Sequence, residues 1–339
     1  MQFVDLAGGT RVALCGKVDC LHEQEPDNRK AESCEARLIG ASMITPLFFW
    51  DGYLYYILED AYGLQVYRRN ADGTGLKRVT TLGKQYTEKQ KDVTVYAYAV
   101  SNGFLYYNAD VDGSVSGADG GNTVQWEGNY IGRLALSTGK EEILLENSEA
   151  YMTLCAVKNN TVLFHATDVV PVDSNYGETR WKASAYLQCW QEGEVSTLLK
   201  KTVREFPGVN AVDGGKVYYT ASSETGDHTY AYDLDRGKSR PVCEASLRYI
   251  GAGYAFQLEP EKEIWQLRSL PENKTLPNAL SKDSLLVTTA SDRGFILKRT
   301  VEEKTGFLQS YSYVTFEALA DGLQEMDLMT FYSHGITSE

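Results

Sequence analysis

The run DGYLYY at 51–56 joins a two-residue turn to a strand in which apolar and aromatic residues alternate. Five further copies follow: NGFLYY (102–107), NNTVLF (159–164), GGKVYY (214–219), AGYAFQ (252–257) and RGFILK (293–298). The second turn residue is Gly or Asn, which tolerates the positive φ that a two-residue hairpin requires. Because a β-rich run such as TVYAYAV (94–100) precedes each turn, each unit is predicted to open with a hairpin.

A second predicted hairpin closes each unit. Its copies are VYRRNADGTGLKRV (66–79), IGRLALSTGKEEIL (131–144), YLQCWQEGEVSTLL (186–199), YAYDLDRGKSRPV (230–242), IWQLRSLPENKTL (264–276) and LQSYSYVTFEAL (308–319). The units therefore contain four strands each and recur every 38 to 57 residues. Four-stranded repeats of this length are typical of β-propeller blades. The predicted fold class is all-β, a single β-propeller domain spanning residues 1–339.

The two ends of the chain resemble incomplete units. The run at 2–15 matches 230–243 and predicts an outer hairpin, whereas the run at 328–339 resembles 94–105 and predicts an inner hairpin. Together they predict one composite blade, so that both termini close a ring of about seven four-stranded blades. The alternative is six blades, with 325–339 as a tail.

Charge and hydropathy exclude several classes of partner. The formal net charge is −13, which argues against nucleic acid and against an anionic membrane surface. It permits cationic ligands, neutral ligands such as sugars, and metal ions. No apolar run of membrane-spanning length is present, so no membrane span is predicted. The N-terminal run MQFVDLAGG lacks the features of a signal peptide, so no export signal is visible.

A polar Cys-rich loop at 15–38 is predicted between the N-terminal hairpin and the first internal blade. Its potential metal ligands are Cys15, Cys20, His22 and Cys34. Three thiolates and one imidazole suffice for a tetrahedral structural zinc site, which would order the loop. A disulfide between two of these cysteines is the alternative in an oxidising compartment, and a loop with free thiols is the third interpretation.

The repeats resemble those of a known group of proteins. The pattern D-G-x-L-Y-Y followed by Y-R-x-x-x-D-G-T, here 51–56 and 67–74, resembles propeller repeats of proteins exported by Gram-positive gut bacteria. Those repeats are similar to the YWTD propellers of low-density-lipoprotein receptors and to TolB. The run at 14–38 is similar to a Cys-rich segment of these exported proteins. The resemblance implies an extracytoplasmic or cell-surface location.

Loop lengths predict which face of the propeller is functional. The connections between second and third strands are long at 108–129 and 166–183, and the links between units are long at 16–41 and 80–93. The turns on the other face are short. The four long connections belong to neighbouring units and are expected to crowd over one sector of one face. Loops that elaborate a rigid scaffold usually carry function.

The two long connections within units, 108–129 and 166–183, carry aromatic and acidic side chains. The candidate ligand-binding residues are Trp126, Tyr176, Trp181, Asp110, Asp112, Asp168 and Asp173. Aromatic rings beside carboxylates suit sugars or cationic groups. The alternative interpretation is that the rings only hold long loops against the blades.

The sequence contains no nucleophile elbow, P-loop or dinucleotide fingerprint. It therefore predicts a non-enzymatic binding module or interaction scaffold of the cell envelope. The expected ligand is a glycan, a peptide or a cell-envelope protein, bound on the face with the long loops. The alternative is a propeller-type hydrolase or lyase with loop carboxylates or a metal at the mouth of the ring.

Overall fold

The computed structural model describes part of the chain. The described residues are 2–4, 11–13, 47–60, 63–116, 122–172, 180–224, 226–259, 261–281, 285–286, 294–303, 306–323 and 330–337. The chain divides into two compact units. The first unit contains the three sheets numbered 1 to 3, and the second contains sheets 4 to 6.

The N-terminal strands β1 (Gln2–Val4) and β2 (Arg11–Ala13) form a two-stranded sheet, which confirms the predicted hairpin. Sheet 1 consists of β3 (Leu47–Trp50), β4 (Tyr53–Asp60), β5 (Gly63–Asn70) and β6 (Lys77–Leu82). The short helix α1 (Lys84–Thr87) follows it. Sheet 2 consists of β7 (Asp92–Ser101), β8 (Phe104–Ser116), β9 (Asn122–Ala135) and β10 (Glu141–Asn147). Sheet 3 consists of β11 (Ala150–Lys158), β12 (Thr161–Val172), β13 (Arg180–Gln191) and β14 (Glu194–Thr202).

The second unit repeats this arrangement. Sheet 4 consists of β15 (Ala211–Asp213), β16 (Lys216–Ser223), β17 (Gly226–Asp233) and β18 (Lys238–Cys243). Sheet 5 consists of β19 (Leu247–Gly251), β20 (Tyr254–Glu259), β21 (Ile264–Ser269) and β22 (Lys274–Ser281). Sheet 6 consists of β23 (Leu285–Leu286), β24 (Gly294–Glu303), β25 (Gly306–Thr315) and β26 (Thr330–Thr337). The short helix α2 (Phe316–Ala320) lies between β25 and β26.

Five of the opening hairpins form where the sequence predicts them, and the turn predicted at 293–294 lies partly outside the described residues. In the turn between β3 and β4, Asp51 and Gly52 have φ values of +46° and +79°. Asn102 and Gly103 repeat this geometry between β7 and β8, with φ values of +51° and +79°. Two consecutive positive φ angles define the type I′ turn, whose twist matches the strands it joins. The Asn-Gly and Asp-Gly pairs therefore set the register of these hairpins.

The sheets pack face to face, because their second strands are apolar on both sides. Successive strand residues point to opposite faces, so Tyr107 and Tyr106 of β8 lie on different faces. Tyr107 packs in a core with Leu82 of sheet 1, and Tyr106 packs in another core with Phe164 of sheet 3. Sheet 2 therefore lies between its two neighbours.

The second unit packs in the same way around sheet 5. Phe256 of β20 packs against Phe295 of sheet 6, and Ala255 packs in a core with Tyr218 of sheet 4. Repeated four-stranded antiparallel sheets that pack face to face are the architecture of a β-propeller, and the predicted fold class is confirmed. No helix among the described residues has the length and apolar character needed to cross a membrane.

The predicted composite blade is wrong. β26 pairs antiparallel with β25, from Thr337 opposite Gly306 to Thr330 opposite Ser312, and completes sheet 6. The runs at 2–15 and 328–339 thus contribute to different sheets, and the described residues form six four-stranded sheets.

The hairpin predicted at 308–319 is also wrong, because helix α2 follows β25. The hydroxyl oxygen of Thr315 accepts a 3.0 Å bond from the Ala318 amide and caps the helix. Phe316 and Leu319 of the helix are buried in the core of sheets 5 and 6. The fourth strand of sheet 6, next to β25, is therefore β26.

Candidate functional site

The predicted long connections are largely strand. β8 and β9 pair as far as Ser116 opposite Asn122, and β12 and β13 pair as far as Val172 opposite Arg180. The prediction of loops at 108–129 and 166–183 is therefore wrong. In the stretch NADVDGSVS, polar residues alternate with small or apolar ones, which is the period-two pattern of a strand.

The predicted ligand-binding residues are distributed over two of these hairpins. Asp110 and Asp112 lie on β8, Trp126 on β9, Asp168 on β12 opposite Ala150, and the backbone of Trp181 on β13 opposite Pro171. The remaining predicted site residues, Tyr176, Asp173, Cys15, Cys20, His22 and Cys34, lie outside the described residues, as does the side chain of Trp181.

Strand pairing brings the residues of sheet 2 onto one face. Asp110 and Asp112 are two residues apart on β8 and therefore point to the same face. Asp92 of β7 lies opposite Asp112. Asn129 and Trp126 of β9 lie opposite Asp110 and Asp112. Directly opposed residues of an antiparallel pair share a face, so all five side chains lie on one side of the sheet.

A β-bulge makes this arrangement possible. Trp126 and Asn129 are three residues apart and would point to opposite faces of a regular strand. The pairing shifts by one residue here, which leaves Glu127 without an opposed residue. Gly128 follows with a φ of +151°, and a Cβ atom on it would lie 2.6 Å from the carbonyl oxygen of Asn147. Glycine is therefore required beside the bulge.

Three aromatic rings stack along this face. The ring of Trp126 lies 5.6 Å from that of Tyr151, at an interplanar angle of 20°. Tyr151, on β11 of sheet 3, also stacks on Tyr96 of β7 at 6.3 Å and 29°. Tyr151 is 47% exposed and Tyr96 is 37% exposed, so both rings retain accessible surface. The stack therefore presents aromatic surface across two neighbouring sheets.

Hydrogen bonds fix the rings relative to the acids. The Tyr151 hydroxyl donates a 2.7 Å bond to Oδ2 of Asp110. The Tyr96 hydroxyl donates a 2.6 Å bond to the carbonyl oxygen of Met152. Nδ2 of Asn129 donates to the same carbonyl at 3.1 Å and to the Tyr96 hydroxyl at 3.4 Å. The set formed by Asp92, Asp110, Asp112, Trp126, Asn129, Tyr96 and Tyr151 is called the acidic–aromatic site below.

The electrostatics of the site are dominated by carboxylates. Partial burial raises the pKa of Asp112, and the neighbouring charges of Asp110, Asp92 and Glu127 raise it further. The hydrogen bond to Asp110, together with burial and nearby negative charge, raises the pKa of Tyr151 to about 12. Burial and the nearby carboxylates therefore raise both pKa values in the same direction.

Among the side chains that the structure describes, few positive charges lie at the site. Lys91 forms an ion pair with Glu127, at the edge of the site. Within the described residues, Asp92, Asp110 and Asp112 form no ion pair with a basic side chain. The described part of the chain contains no group of three His, Cys, Asp or Glu side chains arranged to hold a metal ion.

Three buried polar atoms of the site have no hydrogen-bond partner among the described residues. They are Oδ1 of Asp110, Oδ1 of Asn129 and Nε1 of Trp126. Such atoms are uncommon, because a buried polar group without a partner costs about 1–3 kcal/mol. Asp110 and Asn129 lie opposite each other on β8 and β9, and Trp126 is nearby on β9. The hydrogen-bonding capacity of this face is therefore not fully used by the described residues.

The sequence did not reveal every member of the site. Asp92, Tyr96, Asn129 and Tyr151 are not among the predicted site residues. Tyr96 and Tyr151 lie on first strands, β7 and β11, and a second β-bulge lies at Tyr96 between Val95 and Ala97. The alternation in TVYAYAV signalled a strand with aromatic residues on one face, but it did not show which neighbouring sheet they meet.

No protein family and no curated protein matches the sequence. The structure is similar to that of a puromycin-hydrolysing peptidase of Mycobacterium tuberculosis, with a TM-score of 0.53 and 9% identity. The similarity covers 97% of this chain and 48% of the peptidase, so this chain spans less than half of that protein.

Two further similar structures have lower scores. TolB from Acinetobacter baumannii has a TM-score of 0.43 and 14% identity, over 80% of this chain and 62% of TolB. An oligogalacturonate lyase in complex with manganese has a TM-score of 0.46 and 11% identity, over 79% of this chain and 75% of the lyase. At such identities, similarity concerns the fold alone. The resemblance to propeller-repeat proteins is therefore supported for the fold. The resemblance to proteins of Gram-positive gut bacteria in particular, and the similarity of the Cys-rich segment, stay predictions.

Proposed function

We propose that this β-propeller is a non-enzymatic binding module whose ligand contacts the acidic–aromatic site. The observation that supports this most strongly is the aromatic stack, in which the accessible rings of Tyr151 and Tyr96 lie beside Asp110 and Asp112. Aromatic rings provide a large contact area, and adjacent carboxylates fix the orientation of a polar ligand.

The site is built on strands of two packed sheets, and this favours binding. Tyr151 is tied to Asp110, and Tyr96 and Asn129 share the carbonyl oxygen of Met152. Side chains that are already held in one geometry lose little conformational entropy when a ligand arrives. A rigid, partly exposed platform therefore binds more tightly than the same residues on a mobile loop.

The experiment is a binding screen against glycans and peptides with the parent chain, Trp126→Ala and Trp265→Ala. Trp126 stacks on Tyr151, whereas Trp265 packs edge-on against Tyr249 in sheet 5. Both tryptophans are partly buried, and Trp265 packs against the core of sheets 5 and 6, so Trp265→Ala controls for the loss of a large ring in another sheet.

We expect Trp126→Ala to weaken binding at least tenfold while the melting temperature stays close to that of Trp265→Ala. Trp181→Ala, on the neighbouring hairpin, is expected to act in the same direction. Equal effects of Trp126→Ala and Trp265→Ala on binding would contradict the proposal. A loss of folding in Trp126→Ala alone would show that this ring is structural.

A second candidate function, a hydrolase or lyase, is favoured by one observation. The pKa of Asp112 is raised beside the carboxylate of Asp110, and two carboxyl groups in unlike environments suit general acid–base chemistry. The test is turnover of the oligosaccharides and peptides found in the binding screen. Activity that Asp112→Asn abolishes without weakening binding would favour the enzyme over the binding module.

The Cys-rich loop supports a separate proposal. Cys15, Cys20, His22 and Cys34 provide a donor set for structural zinc or, in an extracytoplasmic location, for a disulfide. Elemental analysis of the purified protein together with thiol titration under denaturing conditions separates these two states. One equivalent of zinc with reactive thiols supports the metal site, whereas two blocked thiols without zinc support the disulfide.

A further inference from the structure

The turn between β7 and β8 contains the only Asn-Gly pair of the sequence, Asn102 and Gly103. Asn102 is exposed, and its side chain forms no hydrogen bond with the described residues. Six other asparagines are held by side-chain hydrogen bonds: Asn70, Asn108, Asn129, Asn147, Asn210 and Asn273. No such bond restrains the side-chain amide of Asn102.

The peptide group that joins Asn102 to Gly103 is equally unrestrained. Within the described backbone, neither its N–H nor its C=O takes part in a hydrogen bond, whereas the carbonyl oxygen of Gly103 accepts a 3.0 Å bond from the amide of Leu136. A Cβ atom on Gly103 would meet no atom within 4 Å, so the space around the turn is open. The nitrogen of Gly103 can therefore approach Cγ of Asn102 without the loss of a hydrogen bond.

An approach of these two atoms leads to loss of ammonia. The nitrogen of Gly103 bonds to Cγ of Asn102, the Cγ–Nδ2 bond breaks, and Nδ2 leaves as ammonia with the proton of the Gly103 amide. Water then opens the resulting five-membered succinimide ring. Opening at Cγ yields aspartate, whereas opening at the main-chain carbonyl carbon yields isoaspartate, whose backbone runs through Cβ and Cγ and is one atom longer.

We propose that Asn102 is a site of spontaneous deamidation in the folded protein, with water as the co-reactant. Asparagine is among the thermolabile residues of proteins. Glycine at the next position leaves the attacking nitrogen unhindered by a side chain and permits the backbone to change its conformation. This modification is independent of the proposed binding function.

A second turn of the same kind provides an internal comparison. Asn159 and Asn160 join β11 to β12, are exposed, and have φ values of +49° and +63°. The residues that follow them, Asn160 and Thr161, carry side chains, and Oδ1 of Asn160 accepts a 3.3 Å bond from the Tyr106 hydroxyl. These two asparagines should therefore react more slowly than Asn102, although both turns have two positive φ angles.

The two products of the reaction have different effects on the hairpin. The turn at 51–52 has the same geometry as that at 102–103 and contains Asp-Gly, so an aspartate at position 102 is compatible with the turn. An isoaspartate adds one backbone atom between Ser101 and Phe104, which pair across a two-residue turn. Because the two-residue turn fixes the pairing of the strands, the longer backbone should destabilise this end of the hairpin.

The test is peptide mapping of the folded parent chain after incubation at pH 8, in parallel with the same chain unfolded in urea. The tryptic fragments 92–133 and 159–180 contain the two turns. Deamidation increases the mass of a fragment by about one dalton, and tandem mass spectrometry locates the residue. A protease that cleaves before aspartate but not before isoaspartate distinguishes the products. The variants are Asn102→Asp and Asn160→Gly, the second of which places a glycine after Asn159.

We expect Asn102 to deamidate at least tenfold faster than Asn159 or Asn160 in the folded parent chain. Asn160→Gly should raise the rate at Asn159 to nearly that of Asn102, because the turn geometry is already in place. Asn102→Asp should melt close to the temperature of the fresh parent chain. The aged parent chain, which contains isoaspartate, should melt at a lower temperature than Asn102→Asp after the same incubation.

Other outcomes overturn the inference. Equal rates at Asn102 and Asn159, or deamidation of Asn102 in urea alone, would show that the folded turn protects this residue. An unchanged rate at Asn159 in Asn160→Gly would show that the following glycine does not determine reactivity in these turns. Equal melting temperatures of the aged parent chain and Asn102→Asp would refute the effect of isoaspartate on the hairpin.

Discussion

The hydroxyl of Tyr151 donates a 2.7 Å hydrogen bond to Oδ2 of Asp110, across the boundary between sheets 3 and 2. The same Tyr151 ring stacks on Trp126 at an interplanar angle of 20°, and the bond places a carboxylate at the edge of the stack. One side chain thus links the packing of two sheets to the charge of the site.

Replacing Tyr151 with Phe removes this bond and keeps the ring. We expect the free energy of unfolding to fall by about 0.5–1 kcal/mol, since the bond involves a carboxylate but is open to solvent. Urea denaturation measures the change. Tyr98→Phe is the control, because Tyr98 is similarly exposed and its 3.3 Å bond to Leu47 is longer. Losses of equal size in the two variants would contradict a special role for the bond to Asp110.

Alkaline conditions should destabilise the fold through buried tyrosines. Burial, with the charges of Tyr130 and Glu141, raises the pKa of Tyr107 well above its ordinary value of about 10. Burial likewise raises the pKa of Tyr86 to about 12. The unfolded chain loses these protons first, so their stabilising contribution is complete below pH 10 and is lost as the pH rises through the folded pKa values.

The measurement is the free energy of unfolding between pH 8 and pH 12. We expect a plateau up to about pH 9 and a fall above pH 10, to which each such tyrosine contributes up to about 1.4 kcal/mol per pH unit. Tyr107→Phe removes one titrating group and should make the fall shallower, whatever its stability at pH 8. An unchanged slope in this variant would show that Tyr107 is not the group responsible.

Gly128→Ala should disrupt the β-bulge that aligns Trp126 with Asn129. A Cβ atom at this position would meet the carbonyl oxygen of Asn147 at 2.6 Å, and the φ of +151° disfavours any other residue. We expect a loss of about 2 kcal/mol or more in stability, together with altered tryptophan fluorescence. Gly208→Ala, where no atom lies within 4 Å of the added carbon, should stay within about 0.5 kcal/mol of the parent chain.

Deleting residues 330–337 tests the position of β26. Without this strand, β25 becomes the edge of sheet 6, and the N–H and C=O groups that face β26 lose their partners. We expect faster amide exchange along Gly306–Thr315, a lower melting temperature and a tendency to aggregate. Deleting residues 2–4 should leave exchange in β25 unchanged. Unchanged protection of β25 after removal of β26 would mean that the two strands do not pair.

The fold was predictable where its determinants are local. The type I′ turns at 51–52 and 102–103 depend on two residues each, and both form as the sequence indicates. The composite blade failed because the Ser-His-Gly run at 333–335 resembled a turn. In the structure, these residues lie inside β26, where His334 is opposite Gln309 and Gly335 is opposite Leu308. Pairing with a distant strand outweighed the local turn preference.

The site was predictable only in part, for a related reason. Asp110, Asp112 and Trp126 stand out by residue type within one hairpin. Tyr151 joins them through packing between sheets, which depends on two β-bulges. Gly128, an isolated glycine within a strand pattern, was the one local sign of the bulge in β9. Strand pairing between distant residues leaves no comparable mark in the sequence.

The period-two register of β8 limits how this surface can evolve. Substitutions at 110 and 112 change the chemistry of one face and leave the opposite face intact. Inserting a single residue before Asp112 would turn the Asp112 side chain toward the core of sheets 1 and 2. Homologous chains are therefore expected to differ here by replacement, or by pairs of residues, and a mutant library aimed at new ligands should keep the length of this strand constant.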